Sequence, residues 1–195
     1  MSDAGFSLFR LVDEYEGPPL RLVLAGAGSY AARLVEIPGA SKVVDSIWMP
    51  YSRFRLNAWV RDSLRGQEDI AAAFLDKVDK VQAVSGDMLD MIHWCNSLNL
   101  NDALPVSITA AVSSKEQRQG ENQAFISVGL PSDIQRWHVT LSRLDEVDFE
   151  DKNKVDTKRF IQDRIVSELA LSLATGVSSA LTDEMRTSGY LSPVS

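Results

Sequence analysis

An α/β domain with a mixed β-sheet is the fold class that the sequence predicts, and three observations carry it. Apolar β-type runs alternate with helical-period segments in the first half of the chain; two further β-type runs then follow one another directly; and a four-residue periodicity closes the chain with a helix. Taken in order, Phe6, Phe9, Val12 and Tyr15 recur at intervals of three, which predicts a short amphipathic helix presenting those four residues on one face and ending at Gly17-Pro18-Pro19. Leu20 to Ala25 is an apolar run bounded by turn residues. Gly26-Ala27-Gly28-Ser29 then leads into the helix-favouring Tyr30 to Glu36, giving strand, glycine turn, helix. Pro38-Gly39 forces a turn before an extended Val43 to Met49, and Tyr51 to Val60 contains a short helix. Two helical stretches follow, one marked by Ile70, Phe74, Val78 and Val81, the other by Met88, Met91, Ile92 and Cys95, with Ser85-Gly86-Asp87 as turn and cap between them. Pro105 to Val112, Ala124 to Leu130 and Gln135 to Leu141 read as strands, the last two as an antiparallel pair. Asp145 to Asp151 reads as a solvated loop. Ile161, Ile165, Leu169 and Leu173 predict a long helix from Asp156, and the polar stretch from Ser179 to Ser195 is expected to fray.

Composition bounds the function. The 195 residues, 45% apolar, suit one domain with a single core, here residues 1–181 followed by a polar tail at 182–195. A formal net charge of −7 speaks against a nucleic-acid binder, which needs a basic face. One cysteine, Cys95, forms no internal disulfide, and two histidines are too few for a Cys/His zinc site, so no metal is expected. No apolar run approaches the roughly 18 residues of a membrane span, and the start lacks the pattern of a signal peptide. The expectation is a soluble, cytoplasmic protein with no membrane partner.

Three segments could carry chemistry. Gly26, Gly28 and Ser29 join a strand to a helix start, where small residues admit a ligand to the backbone and free N–H groups favour a phosphate or carboxylate. The plain alternative, a tight turn with a serine cap, has equal weight. Ser41 lies beside Lys42 after Pro38-Gly39, and Tyr51 and Ser52 lie beside Arg53 and Arg55, so each hydroxyl has a cation in reach by sequence. A turn serine among solvated charges is the simpler account of both. Thr109 ends a strand that runs into a polar loop carrying Lys115 and Arg118, which could meet an anion at the mouth of the sheet. His93, His138 and Cys95 read as packed or solvent-facing residues, and Met88 and Met91 as core filler.

The order of these segments resembles the C-terminal domain of the CinA family. Members with nicotinamide-nucleotide amidase activity carry SCTGG, AARL, PGSS and YSNEAK; here Gly26 to Ser29, Ala31-Ala32-Arg33-Leu34, Pro38 to Ser41 and Pro50 to Ser52 stand at matching spacings, over roughly Leu20 to Ala174. The resemblance implies a three-layer α/β/α domain, a homo-oligomer that acts on nicotinamide mononucleotide without a metal or other cofactor. It assigns Ser41 as nucleophile with Tyr51 assisting. The departures are equally specific. SCTGG falls on Leu24-Ala25-Gly26-Ala27-Gly28, without its hydroxyls, and the lysine that ends YSNEAK falls on Leu56. Arg55 is a poor substitute base, because its pKa stays above about 12. The sequence is closer to a divergent branch reading approximately GGGS, PGAS, PYS and TAAL with a KRGE-type loop, matched here by Thr109 to Val112 and Arg118 to Glu121. Two functions follow from the resemblance: carboxamide hydrolysis of a pyridine nucleotide through a degenerate Ser-Lys site, or non-catalytic binding of a nucleotide or other phosphate-bearing ligand. In either case Gly26, Gly28, Ser29, Ser52, Arg55, Thr109, Lys115 and Arg118 are the candidate binding residues. A purely structural oligomer subunit is the weaker third.

Overall fold

Alternation along the first strand sorts the whole molecule into layers. In β1 (Leu20–Ala25) the side chains of Leu20, Leu22 and Leu24 join one core, and Val23 between them joins a second on the opposite face. The computed structural model describes residues 7–112, 121–141, 152–177 and 180–194. Its remaining elements are α1 (Leu8–Glu14), α2 (Ser29–Ala32), β2 (Val44–Trp48), α3 (Arg53–Ser63), α4 (Glu68–Lys80), α5 (Gly86–Asn96), β3 (Leu104–Ala111), β4 (Gln123–Val128), β5 (Gln135–Thr140), α6 (Lys152–Thr175), α7 (Ala180–Thr187) and β6 (Leu191–Pro193). The six strands form one sheet in the order β2-β1-β3-β4-β5-β6. The β1 strand pairs parallel with β2 and β3, while β3, β4, β5 and β6 pair antiparallel in sequence. Helices α1, α2, α6 and α7 cover the first face and α3, α4 and α5 the second, which makes the α/β/α layering.

The second face carries a polar seam between α5 and the sheet. Asn96 Nδ2 donates to Ser107 Oγ at 3.1 Å and to the Val106 carbonyl at 3.1 Å. His93 lies 2.9 Å by Nε2 from the Gly129 carbonyl and 2.8 Å by Nδ1 from Ser127 Oγ. A carbonyl only accepts, so Nε2 carries the proton and neutral Nδ1 accepts from the serine. Ser85 caps α5, accepting from the Met88 N–H at 3.1 Å.

Two expectations differ from what the chain does. In α1 the buried residues are Leu8, Leu11 and Val12, and Phe9 is 61% exposed. A strict three-residue interval drifts around a helix, whereas 8, 11, 12 and 15 stay on one side. The long helix expected from the spacing of Ile161, Ile165, Leu169 and Leu173 is α6, in which Gln162, Asp163, Val166, Leu169 and Ala170 are buried and Ile161 is exposed. The tail from Ser179 does not fray as expected over its described residues. It forms α7 and β6, with Met185 and Leu191 buried and β6 paired to β5, so the edge of the sheet is closed by residues that the tail assignment had set aside. The loop expected at 145–151 lies outside the described residues. Among the described residues no single helix is long and apolar enough to cross a membrane.

Candidate functional site

Both parallel strands β1 and β2 end on the same edge of the sheet, where α/β folds place ligands. From β1 the chain enters the glycine turn. Gly26 has φ +89°, and a Cβ there would collide with the Ala110 carbonyl oxygen of β3; Gly28 has φ +118°, and a Cβ would stand 2.8 Å from the Leu24 side chain. Backbone geometry and close packing therefore account for both glycines.

The donors at the end of this turn are taken by a side chain from α6. Asp163 Oδ1 accepts from the N–H of Gly28 at 2.6 Å and of Ser29 at 3.1 Å. Its Oδ2 accepts from Ser29 Oγ at 2.6 Å and from the Tyr30 N–H at 3.1 Å. The anion-favouring geometry read from the sequence is present, and the anion in it is the protein's own carboxylate.

From β2 the chain continues through Met49 and Pro50 to Tyr51. Ser52 caps α3, accepting from the Arg55 N–H at 3.3 Å. Arg55, Trp59, Arg61 and Asp62 of α3 and Arg65 just beyond its end line a cleft of about 850 Å³ together with Trp48, Met49 and Pro50. Arg65 is held by Asp62 at 2.5 Å. Met49 and Tyr51 also border a second compartment of about 390 Å³, which runs inward past Phe160 and Leu24 to Asp163. Arg159 donates to the Tyr51 hydroxyl at 2.6 Å, and its guanidinium lies 5.8 Å from the ring centroid. Trp48, Met49, Tyr51 and Phe160, which line these compartments, are all exposed.

The sequence candidates divide between places. Gly26, Ser29, Tyr51 and Arg55 line the two compartments, and Gly28 and Ser52 shape the turns beside them. Ser41 does not join them. It is exposed in the short turn before β2, and the five residues of that strand put roughly 16 Å between it and Tyr51 within one chain. The expected cooperation of Ser41 with Tyr51 is therefore not made inside the monomer. Thr109 is 1% exposed and donates its hydroxyl to the Ala83 carbonyl at 2.7 Å, which leaves it a structural bond between β3 and the segment before α5. Lys115 and Arg118 lie outside the described residues. Leu56, on which the sequence resemblance places the lysine that ends YSNEAK, is 6% exposed in the second core. Cys95 is buried, which pushes its thiol up to about 12. Among the described residues no group of three or more His, Cys, Asp or Glu side chains could hold a metal.

No protein-family model matches the chain, and no curated protein sequence does. Solved structures do. The competence/damage inducible protein CihA from Agrobacterium tumefaciens has a TM-score of 0.60 at 17% identity, over 87% of this chain and 93% of its own. A competence-damaged protein (CinA) superfamily protein from Klebsiella pneumoniae 700603 has a TM-score of 0.52 at 12% identity, over 93% and 99%. The fold is CinA-like. A competence damage-inducible protein A from Klebsiella pneumoniae subsp. pneumoniae, with a TM-score of 0.53 at 11% identity, spans 86% of this chain and 94% of its own. At such identities the likeness is one of fold. Within the CinA-like frame, the residues that sequence reasoning missed are Trp48, Arg61 and Arg65 on the outer cleft and Arg159, Phe160 and Asp163 on α6. Asp163 had one signal in the sequence: a charge on the same helical stripe as Val166 and Ala170.

Proposed function

We propose that this CinA-like protein binds a nucleotide or a similar small aromatic, phosphate-bearing ligand in the cleft at the carboxyl ends of β1 and β2, and does not hydrolyse it. The observation that carries this reading is the outer cleft itself: Arg55, Arg61 and Arg65 line it together with Trp48 and Trp59, in a chain whose formal net charge is −7. A guanidinium fork matches a phosphate in two-point geometry, and an indole or phenol face stacks on a base. The volume of about 850 Å³ suits a drug-sized or nucleotide-sized ligand. Against hydrolysis stand two residues. Leu56 is apolar and buried where the family lysine would activate a serine, and Ser41 sits at the far end of β2 from Tyr51.

A thermal-shift panel of nucleoside monophosphates, the matching nucleosides and inorganic phosphate tests the binding reading. A monophosphate at about 100 times its Kd adds about 2.7 kcal/mol, which is a rise of about 5–10 °C for a domain of this size. The shift should be lost in Arg55→Ala/Arg61→Ala. No shift with any nucleotide overturns the reading. Ammonia release from nicotinamide mononucleotide, abolished by Ser41→Ala, would overturn the non-catalytic half and establish the amidase alternative.

A further inference from the structure

Both compartments at the carboxyl ends of β1 and β2 carry a positive charge beside an aromatic ring. In the outer one, of about 850 Å³, Arg55, Arg61 and Arg65 accompany Trp48 and Trp59. In the inner one, of about 390 Å³, the Arg159 guanidinium accompanies Tyr51 and Phe160. Each volume lies within the roughly 300–1,000 Å³ of small-molecule sites. The two share Met49 and Tyr51, so the Tyr51 side chain stands where one meets the other. Arg159 Nη2 donates to the Tyr51 hydroxyl at 2.6 Å. A phenol oxygen that accepts a bond keeps its own proton to give, and among the described residues nothing accepts it. Ser29, by contrast, gives its hydroxyl proton to Asp163 at 2.6 Å. The neighbouring guanidinium polarises the Tyr51 hydroxyl and strengthens it as a donor to an anion. Tyr51 is 71% and Phe160 57% exposed, so neither ring is packed away from a ligand.

We propose that the ligand is a dinucleotide, two nucleosides joined by a diphosphate: one base lies against Trp48 and Trp59, the other against Phe160, and the diphosphate sits at the junction, where the Tyr51 hydroxyl donates to it and Arg159 positions that hydroxyl. This proposal rests on the nucleotide-binding reading above and narrows its ligand class. Positive charge stands on both sides of the junction, Arg55 in the outer compartment and Arg159 in the inner, so a linker with two phosphates is matched at both ends as a single phosphate is not. The exposed Phe160 ring supplies the second stacking face. Once one base is bound, the linker delivers the other at high effective concentration, so the dinucleotide binds at least about tenfold tighter than its mononucleotide half.

Calorimetric titration of the full chain with adenosine monophosphate, adenosine diphosphate and diadenosine diphosphate tests this, in wild type and in Tyr51→Phe, Arg159→Gln and Phe160→Ala. The Tyr51 and Phe160 rings are exposed, so changing them empties no core. Wild type should bind diadenosine diphosphate at least about tenfold tighter than either mononucleotide. The ratio of dinucleotide to monophosphate affinity should fall towards one in each variant, a readout that a merely structural role for these side chains would not move. Adenosine diphosphate binding as tightly as the dinucleotide overturns the second base site, because the extra phosphate would then account for the gain. A dinucleotide no tighter than the monophosphate, or a ratio unchanged in any of the three variants, also overturns the proposal, and with monophosphate binding intact the nucleotide reading stands. Binding of none of the three ligands overturns both.

Discussion

Truncating Asp163 to alanine removes the hydrogen bonds that tie α6 to the turn after β1, and its cost can be worked from the structure. The mutation removes the acceptor of four hydrogen bonds, at 2.6, 3.1, 2.6 and 3.1 Å. The bond to the Gly28 N–H is buried, and the loss of a buried bond to a charged group costs about 1.5–3 kcal/mol. The other three are part-buried beside a compartment of about 390 Å³ that admits water, so each contributes nearer 0.5 kcal/mol. The sum is about 3–4.5 kcal/mol. For a domain of this length it lowers the melting temperature by about 6–18 °C. Urea unfolding followed by far-ultraviolet circular dichroism reads this directly. Asp163→Asn, which keeps one acceptor oxygen, should lose about half as much. A change below about 0.5 kcal/mol in Asp163→Ala would refute the reasoning, because it would mean that water satisfies the turn as well as the carboxylate does.

Three other outcomes are expected. Gly26→Ala should destabilise by about 3 kcal/mol, since φ is +89° and the new Cβ meets the Ala110 carbonyl, whereas Gly66→Ala, at φ +84° with open space around it, should cost about 1 kcal/mol in the same urea assay. Leu56→Lys should cost about 3 kcal/mol by placing an ammonium in the second core and should produce no ammonia release, because Ser41 remains at the other end of β2. Burial holds the imidazole of His93 below its usual range, with the hydrogen bond to Gly129 opposing that shift in part. The unfolded chain therefore takes up a proton near pH 6.5 while the native one does not, so the stability contributed by His93 is complete above about pH 6.5 and falls as the pH drops towards the depressed native value. The stability gap between wild type and His93→Gln, measured in urea at pH 7.5 and pH 5.5, should narrow at the lower pH; a constant gap would contradict this.

How much of this was legible in the sequence follows from the range of each interaction. The strands were readable because a residue such as Val23, flanked by Leu22 and Leu24, declares burial on both faces of a sheet without reference to anything distant. The Ser85 cap was readable because it acts within three residues. The face of α1 was misjudged because an interval of three drifts around a helix, so Phe9 turned outward. The tail was misread for a thermodynamic reason: α7 and β6 are polar in composition, and their order comes from two buried side chains, Met185 and Leu191, and from pairing with β5. The site was the least legible. The glycine turn announced an anion, but its anion comes from Asp163, 135 residues away along the chain, and no local pattern fixes such a pairing. Likewise the distance between Ser41 and Tyr51 depends on β2 being extended between them, which turns a close sequence spacing into opposite edges of the sheet.

The central claim is that the arginine-walled cleft over Trp48 and Trp59 holds a phosphate-bearing aromatic ligand. Calorimetric titration of the wild-type protein with adenosine monophosphate, beside adenosine and beside the Arg55→Ala/Arg61→Ala variant, tests it most directly. The account predicts saturable one-site binding of the monophosphate that weakens with added salt, and is at least about tenfold weaker both for adenosine and for the variant. Equal affinity for adenosine and its monophosphate, or unchanged binding by the variant, would contradict it.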